Sequence, residues 1–290
     1  MPKAKLELNS RNVITVRYDD VVADWEAWVL LRSDVHHDSP DCNRKLEKKH
    51  LDLAKERDAY IFDFGDTFDA MQGKFDPRRN LDDVRPEDKT QNYYGSIVEH
   101  AAEDYTPYVE NFAMFGFGNH ETAVLNKANT CLINSLVTLM NKGAKEEHRV
   151  FVGGYGGWVR FMFLISGTRR VSMRMRYHHG NGGNAPVTRG VIGTNRQAVF
   201  LPDADIVVNG HNHQAYIVPI ARERLNHNAR VTKDLCWFVR VPGYKNEWGD
   251  GAEGWIVEKN GGPTPNGAVW LHFTYQKQAG VLCSPILDIE

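Results

Sequence analysis

The chain lacks several things that would have named a class at once. No run approaches the roughly 18 apolar residues that a membrane helix needs; the best, residues 158–165, carries Arg160. The amino terminus has no apolar core or small-residue cleavage site, so no secretory signal is read there. The four cysteines (Cys42, Cys131, Cys236 and Cys283) lie far apart without CxxC spacing. That excludes a disulfide framework or a thiolate zinc site and fits a reducing, cytoplasmic setting. Positive charge is not in excess: 35 Lys and Arg face 37 Asp and Glu, a net charge of −2. A polycation that holds nucleic acid by bulk charge is thereby disfavoured. Nor is the chain short of aromatics: at 11% they exclude disorder as its main state. What it has in plenty is histidine, 12 in 290 residues, and their placement is the informative feature.

Hydrophobic patterning predicts strands at residues 27–31, 59–64 and 112–117, with helices at 42–58, 93–109 and 129–142 between and after them. Residues 71–90 read as an exposed polar loop. This alternation implies βαβ units and a partly parallel sheet. From about residue 149 the texture becomes β-rich. Strands are expected at 150–152, 159–166, 171–177, 205–208, 215–221, 236–241, Trp255–Glu258 and 269–275, with Gly-, Pro- and Asn-rich turns between them. With no repeat and no linker, one domain over residues 1–290 is the simplest organisation, with residues 214–290 as its β-rich end.

Five polar motifs sit at the carboxyl ends of predicted strands, where ligands of α/β sheets gather. Asp34 and His36 stand at i and i+2, on one side of an extended chain. Gly65-Asp66 offers a turn and a projecting carboxylate, with Asp69 three residues on as a further supporting carboxylate. Gly118-Asn119-His120-Glu121 offers an amide oxygen and an imidazole with a carboxylate beside it to hold its tautomer or raise its pKa. His178 and His179 point to opposite sides, so one of them can face a given site. His211 and His213 are again i and i+2. Taken singly, each motif reads equally well as a polar loop, a turn carboxylate or a cap. Imidazole, carboxylate and amide donors without thiolate suit Mn²⁺, Fe, Zn²⁺ or Co²⁺.

In this order, the motifs resemble those of the calcineurin-like metallophosphoesterase superfamily. The matching pieces are Asp34-Val35-His36, Gly65-Asp66, Gly118-Asn119-His120-Glu121, His178/His179 and Gly210-His211-Asn212-His213; they fall within residues 34–213. Glu121 stands where many members carry Asp. The resemblance implies an α/β fold, a four-layer-type β-sandwich of two mixed sheets flanked by helices. It implies a phosphoester hydrolase with two divalent metal ions, Mn²⁺ being the first choice in vitro, and a bridging hydroxide. One ion would take Asp34, His36 and His213, the other Asn119, His179 and His211, with Asp66 shared. His179 is preferred to His178 because it directly precedes a glycine. His120 would serve the leaving group and Glu121 would orient it; Asn119 and Arg189 would meet substrate, with Arg44, Arg78, Arg79 and Arg196 as other phosphate-binding candidates. The expected substrate is a small-molecule or nucleotide phosphoester, mono- or diester, and no membrane partner is expected. A Mn²⁺-dependent DNA nuclease, using residues 71–90 and 222–230 to hold DNA, is one alternative. A scaffold that binds without catalysis is the other.

Overall fold

The structure is a computed structural model that describes residues 4–72, 79, 83–182, 191–249, 251–252, 255–258 and 260–290. Thirteen strands form two mixed sheets among these residues. The six-stranded sheet has the order β13-β12-β3-β4-β5-β6. It comprises β3 (Glu26–Arg32), β4 (Tyr60–Asp63), β5 (Phe112–Phe115), β6 (Phe151–Val152), β12 (Gly267–Gln276) and β13 (Gly280–Ile289). The seven-stranded sheet has the order β1-β2-β7-β8-β9-β11-β10. Its members are β1 (Lys5–Ser10), β2 (Val13–Val21), β7 (Gly156–Ile165), β8 (Arg169–His178), β9 (Ile206–Asn209), β10 (Tyr216–Leu225) and β11 (Val231–Arg240).

The inner faces of the sheets meet in one apolar layer. Phe62, Phe64 and Phe273 from one side pack with Phe161, Phe163 and Tyr177 from the other. The outer face of the six-stranded sheet is covered by α1 (Arg44–Glu56), α2 (Tyr93–Tyr105) and α4 (Leu132–Met140). Leu46, Ile97 and Leu136 of these helices bury against Leu30, Ile61 and Phe112. Asn43 caps α1 by accepting the Leu46 N–H at 3.1 Å. On the other outer face, Ala198 of α5 (Val191–Phe200) and Leu201 cover Val207, Cys236 and Phe238. The expected arrangement of two mixed sheets flanked by helices is therefore what the chain forms. No helix among the described residues is long and apolar enough to cross a membrane.

The hydrophobic pattern does not predict four of the elements: the β1–β2 hairpin, α3 (Asn119–Ala128), α5 and β13. One expectation is corrected: Trp255–Glu258 is a short helix, α6, not a strand. Its four apolar and acidic residues carry no turn signal that separates the two states at this length.

One ion pair network is wholly internal. Arg32, at the end of β3, is 0% exposed, and it lies 2.8 Å from both Glu47 of α1 and Asp63 of β4. Its guanidinium also sits over the Tyr105 ring at 4.6 Å. Asp63 spends its other oxygen on the Gly65 N–H and the Thr67 hydroxyl, both at 3.0 Å. Removing one partner of such a network leaves buried charge uncompensated. Arg32→Ala is expected to lower the unfolding free energy by about 3–5 kcal/mol; urea denaturation followed by circular dichroism checks it, and a loss below about 1 kcal/mol would contradict the assignment.

Candidate metal centre

Six strands (β3, β4, β5, β8, β9 and β11) end at the same edge of the sandwich, three from each sheet. The five sequence motifs leave the ends of β3, β4, β5, β8 and β9. Local backbone there is unusual. Asp34, His36, Asp66, His211 and His213 all have φ between 50° and 77°, in the left-handed region that side-chain-bearing residues rarely adopt. Such conformations persist where surrounding contacts over-determine them, and they concentrate at functional sites.

The contacts that hold them are backbone hydrogen bonds between loops. The Asp34 N–H donates to Gly65 O at 2.9 Å, His36 N–H to Asp66 O at 3.0 Å and His37 N–H to Thr67 O at 2.8 Å. Asp34 Oδ2 accepts the His211 N–H at 2.8 Å, which ties the two sheets together. Asp66 Oδ1 accepts the His120 N–H at 2.9 Å. Close approach explains two glycines. A Cβ at Gly118 would collide with Asp66 Oδ1, and one at Gly210 would collide with Ser33 Oγ and lie 2.5 Å from Asp34 Oδ2.

The side chains converge in three groups whose nitrogen and oxygen atoms lie within 4.8 Å of one another: Asp34, His36 and His213; His36, Asp69 and His120; Asp66, His179 and His211. Asn119 joins the last, its Oδ1 3.1 Å from His179 Nε2. Every candidate metal ligand from the sequence is thus in the cluster. His179 rather than His178 enters it: His179 is 0% exposed with Nε2 3.2 Å from Asp66 Oδ2, whereas His178 Nδ1 accepts the Gly180 N–H outside. His179 Nδ1 donates to Phe64 O at 3.0 Å, so Nε2 is the nitrogen that faces the carboxylates.

The electrostatics are those of a site built for a cation. Burial alone would raise the Asp34 and Asp66 carboxyls, yet neighbouring imidazoles (His179 and His213 for Asp34, His120 and His179 for Asp66) hold both below the usual range. Burial alone would lower His179, yet Asp66 and Asp34 push it up to about 9. His213 rises to about 10 against its burial, through Asp34 and Glu247. Protons on imidazoles are the positive charge available to these carboxylates from the side chains themselves. Meanwhile Asp34 Oδ1, His36 Nε2 and His211 Nδ1 are buried without a hydrogen-bond partner among the described residues. Buried orphan acceptors of this kind demand a partner, and a divalent cation supplies one to several donors together.

Two sequence expectations change. Glu121 turns its carboxylate to backbone N–H groups. Its carboxylate, fully buried, accepts the N–H groups of Gly118 at 2.9 Å and of Asp66 and Phe68 at 3.0 Å each. Burial and the Asp66 charge raise its pKa to about 8. It shapes the loops instead, because α3 begins at Asn119 and turns the side chain of its third residue back towards them. His120 Nδ1 lies 2.5 Å from Asp69 O, and its Nε2 is 3.8 Å from Asp66 Oδ2. The second change concerns arginine. Arg44 donates to His37 O and lies 3.2 Å from Asp104; Arg222 and Arg224 are spent on Asp234 and on carbonyls of the 202–204 segment. Arg79 and Arg196 are exposed. Arg189, Arg78 and most of the 73–82 stretch lie outside the described residues.

Three residues brace the cluster from behind. Asp69 lies 2.8 Å from His36 Nδ1, Lys245 Nζ lies 3.1 Å from Asp69, and Glu247 lies 3.4 Å from His213 Nδ1. Asp69 is the supporting carboxylate that the second motif offers. Lys245 and Glu247 carry no local signal in the sequence, since they follow β11 in a segment without a histidine.

No protein-family model matches the chain, and no curated protein matches it. Among the solved structures to which it is similar are calcineurin-like phosphoesterases. YfkN of Bacillus subtilis, a calcineurin-like phosphoesterase, shares 12% identity over 92% of this chain and 91% of that one, with a TM-score of 0.35. A conserved Streptococcus pneumoniae protein described as a predicted phosphoesterase shares 12% over 92% and 100%, with a TM-score of 0.33. Vps29 of Chaetomium thermophilum shares 9% over 92% and 96%, with a TM-score of 0.37. These likenesses are distant and say nothing about this chain's activity.

The two crowded glycines give a test. Gly118→Ala and Gly210→Ala are each expected to abolish most of the thermal stabilisation that added Mn²⁺ confers on the native chain. Gly193→Ala, where a Cβ meets nothing within 4 Å, is expected to keep it. Melting curves with and without Mn²⁺ decide; equal stabilisation of all three variants would remove the cluster as the binding site.

Proposed function

We propose that the chain is a metal-dependent phosphoester hydrolase of the metallophosphoesterase kind. The observation that carries this reading is the pairing of two donor groups, Asp34/His36/His213 and Asp66/His179/His211 with Asn119, around buried acceptors that lack partners. Asp34, His36 and His213 would hold one divalent cation and Asn119, His179 and His211 a second, with Asp66, whose Oδ1 is taken by the His120 N–H, offering its other oxygen to the pair. The donor set favours Mn²⁺, Fe, Zn²⁺ or Co²⁺. When bound, such ions supply water activated near neutral pH and neutralise charge on the phosphoryl oxygens.

The remaining chemistry belongs to the chain. Asp69 O takes the Nδ1 proton of His120, so Nε2 is the nitrogen presented to the cluster. When that ring is the imidazolium, its Nε2–H donates a proton to the leaving oxygen and leaves a neutral ring with Nδ1–H in place, a contribution typically worth about 10²–10⁴-fold. Asn119, partly exposed at the start of α3, orients a phosphoryl oxygen as well as serving a cation. Asp69, in contact with His36 Nδ1 and held by Lys245, keeps His36 Nε2 facing inward. The substrate class is a small or nucleotide-like phosphoester.

Bis(p-nitrophenyl) phosphate and p-nitrophenyl phosphate, with Mn²⁺ and after chelation, provide the assay. Turnover is expected with metal and not without it. His120→Ala is expected to lower kcat by about 10²–10⁴-fold while elemental analysis finds the same metal content. Absence of metal-dependent turnover on either ester and on nucleotides would sink the proposal, and metal content near zero would favour a binding scaffold.

A further inference from the structure

The outer face of the seven-stranded sheet carries a stripe of arginines that the cluster does not use. Inward-facing residues of β7 and β8 are apolar: Val159, Phe161 and Phe163, and Met173, Met175 and Tyr177. The alternate positions, which face out, hold Trp158, Arg160, Met162 and Leu164 on β7 and Arg170, Ser172, Arg174, Arg176 and His178 on β8. Arg17 extends the row onto β2. Arg160 and Arg174 are direct cross-strand partners. Like charges so placed destabilise a sheet unless something offsets them.

Little within the chain offsets them. Asp19 lies 2.7 Å from Arg17, while Asp205 at 3.3 Å and Asp203 at 3.8 Å face Arg174. Arg160 donates to the Thr15 hydroxyl, and Arg176 to Gly157 O and Tyr177 O. Among the described residues no carboxylate forms an ion pair with Arg160, Arg170 or Arg176. In a chain of net charge −2 this is a local concentration of cations. It is also directed. Outward positions on β8 recur about every 6–7 Å, and the row ends at His178, the residue before His179 of the metal cluster. At that end a Cβ on Gly156 would lie 2.8 Å from the Arg176 guanidinium and 2.9 Å from the His178 ring, so the glycine makes room for both side chains.

We propose that this stripe binds a single-stranded nucleic acid and leads its phosphodiester backbone to the metal cluster. The inference rests on the hydrolase reading for what happens at the cluster, but not for the binding. Charge complementarity favours an anionic strand, arginines spread along the length of β8 match an extended backbone, and the end of that strand delivers a phosphodiester where one is cleaved. A membrane surface would use the same charges but would bring no phosphodiester chain to the edge.

Fluorescence anisotropy with a labelled single-stranded DNA oligonucleotide, on the Mn²⁺-loaded chain across a salt series, tests this. Arg160→Gln/Arg170→Gln is expected to weaken binding at least tenfold at low salt. It is also expected to reduce the salt slope by about 1.4, or about 0.7 for each phosphate that is no longer neutralised. The same variant is expected to turn over bis(p-nitrophenyl) phosphate within twofold of the native rate. Lys142→Gln/Lys145→Gln, an equal reduction of exposed charge elsewhere, is expected to leave both unchanged. Oligonucleotide binding that the arginine variant leaves intact, or binding to phosphatidylserine vesicles in place of the oligonucleotide, would overturn the inference. A native chain that binds the oligonucleotide through the arginines but hydrolyses no ester would overturn the hydrolase reading alone.

Discussion

Everything at the edge that holds the cluster depends on carboxylates that bind backbone N–H groups from loops other than their own. Asp34 reaches His211, Asp66 reaches His120, and Glu121 reaches Asp66 and Phe68. For Asp34 and Asp66, held ionised by the imidazoles around them, such bonds are stronger than neutral ones, which is what a chain held at positive φ in five places requires. The two sheets supply rigid strand ends, but the carboxylates set where the side chains beyond those ends point. The proposed metal donors and the loop fasteners are therefore partly the same residues. Asp34 and Asp66 each give one oxygen to a neighbouring loop and keep the other for the cluster.

That double use has an electrostatic cost, offset by histidine. Asp34, Asp66 and Asp69 lie buried together, and their charges are tolerable because imidazoles surround them and Lys245 reaches Asp69. The high pKa of His179 and of His213 is the same fact seen from the other side. A cation taken by these residues, as proposed, would need those imidazoles neutral, so metal and proton would compete.

Much of this is legible in the sequence, for definite reasons. A polar residue of the cluster that sits directly after an apolar strand announces itself, as Asp34, Asp66, Asn119 and His211 do. Strand alternation permits only one of His178 and His179 to face the cluster, and the glycine that follows His179 is what singles it out by resemblance. Positions that act across the fold are not readable. Glu121 reads as a partner of His120 because the two are adjacent in sequence, but helix geometry carries them to different neighbours. Lys245 and Glu247 meet the cluster only through the return of β11, which no local pattern encodes. Among the elements, the β1–β2 hairpin escapes the pattern because polar and charged residues separate its apolar ones. Strand β13 escapes it because Ser284 and Pro285 interrupt its apolar run.

The segment after β11 sets the extent of the working unit. Tyr244 N–H donates to Asp34 O at 2.9 Å, Asn43 N–H donates to Tyr244 O at 2.7 Å, and Gly267 N–H donates to Gly243 O at 2.9 Å. The Tyr244 hydroxyl meets buried His50 at 2.8 Å, and His50 lies 3.4 Å from Asp288 of β13. The last histidine of the motifs is at position 213, yet the first carboxylate of the cluster is braced through a path that runs to the final strand. A fragment cut to the motif boundaries would retain every metal donor and lose the frame that aims Asp34.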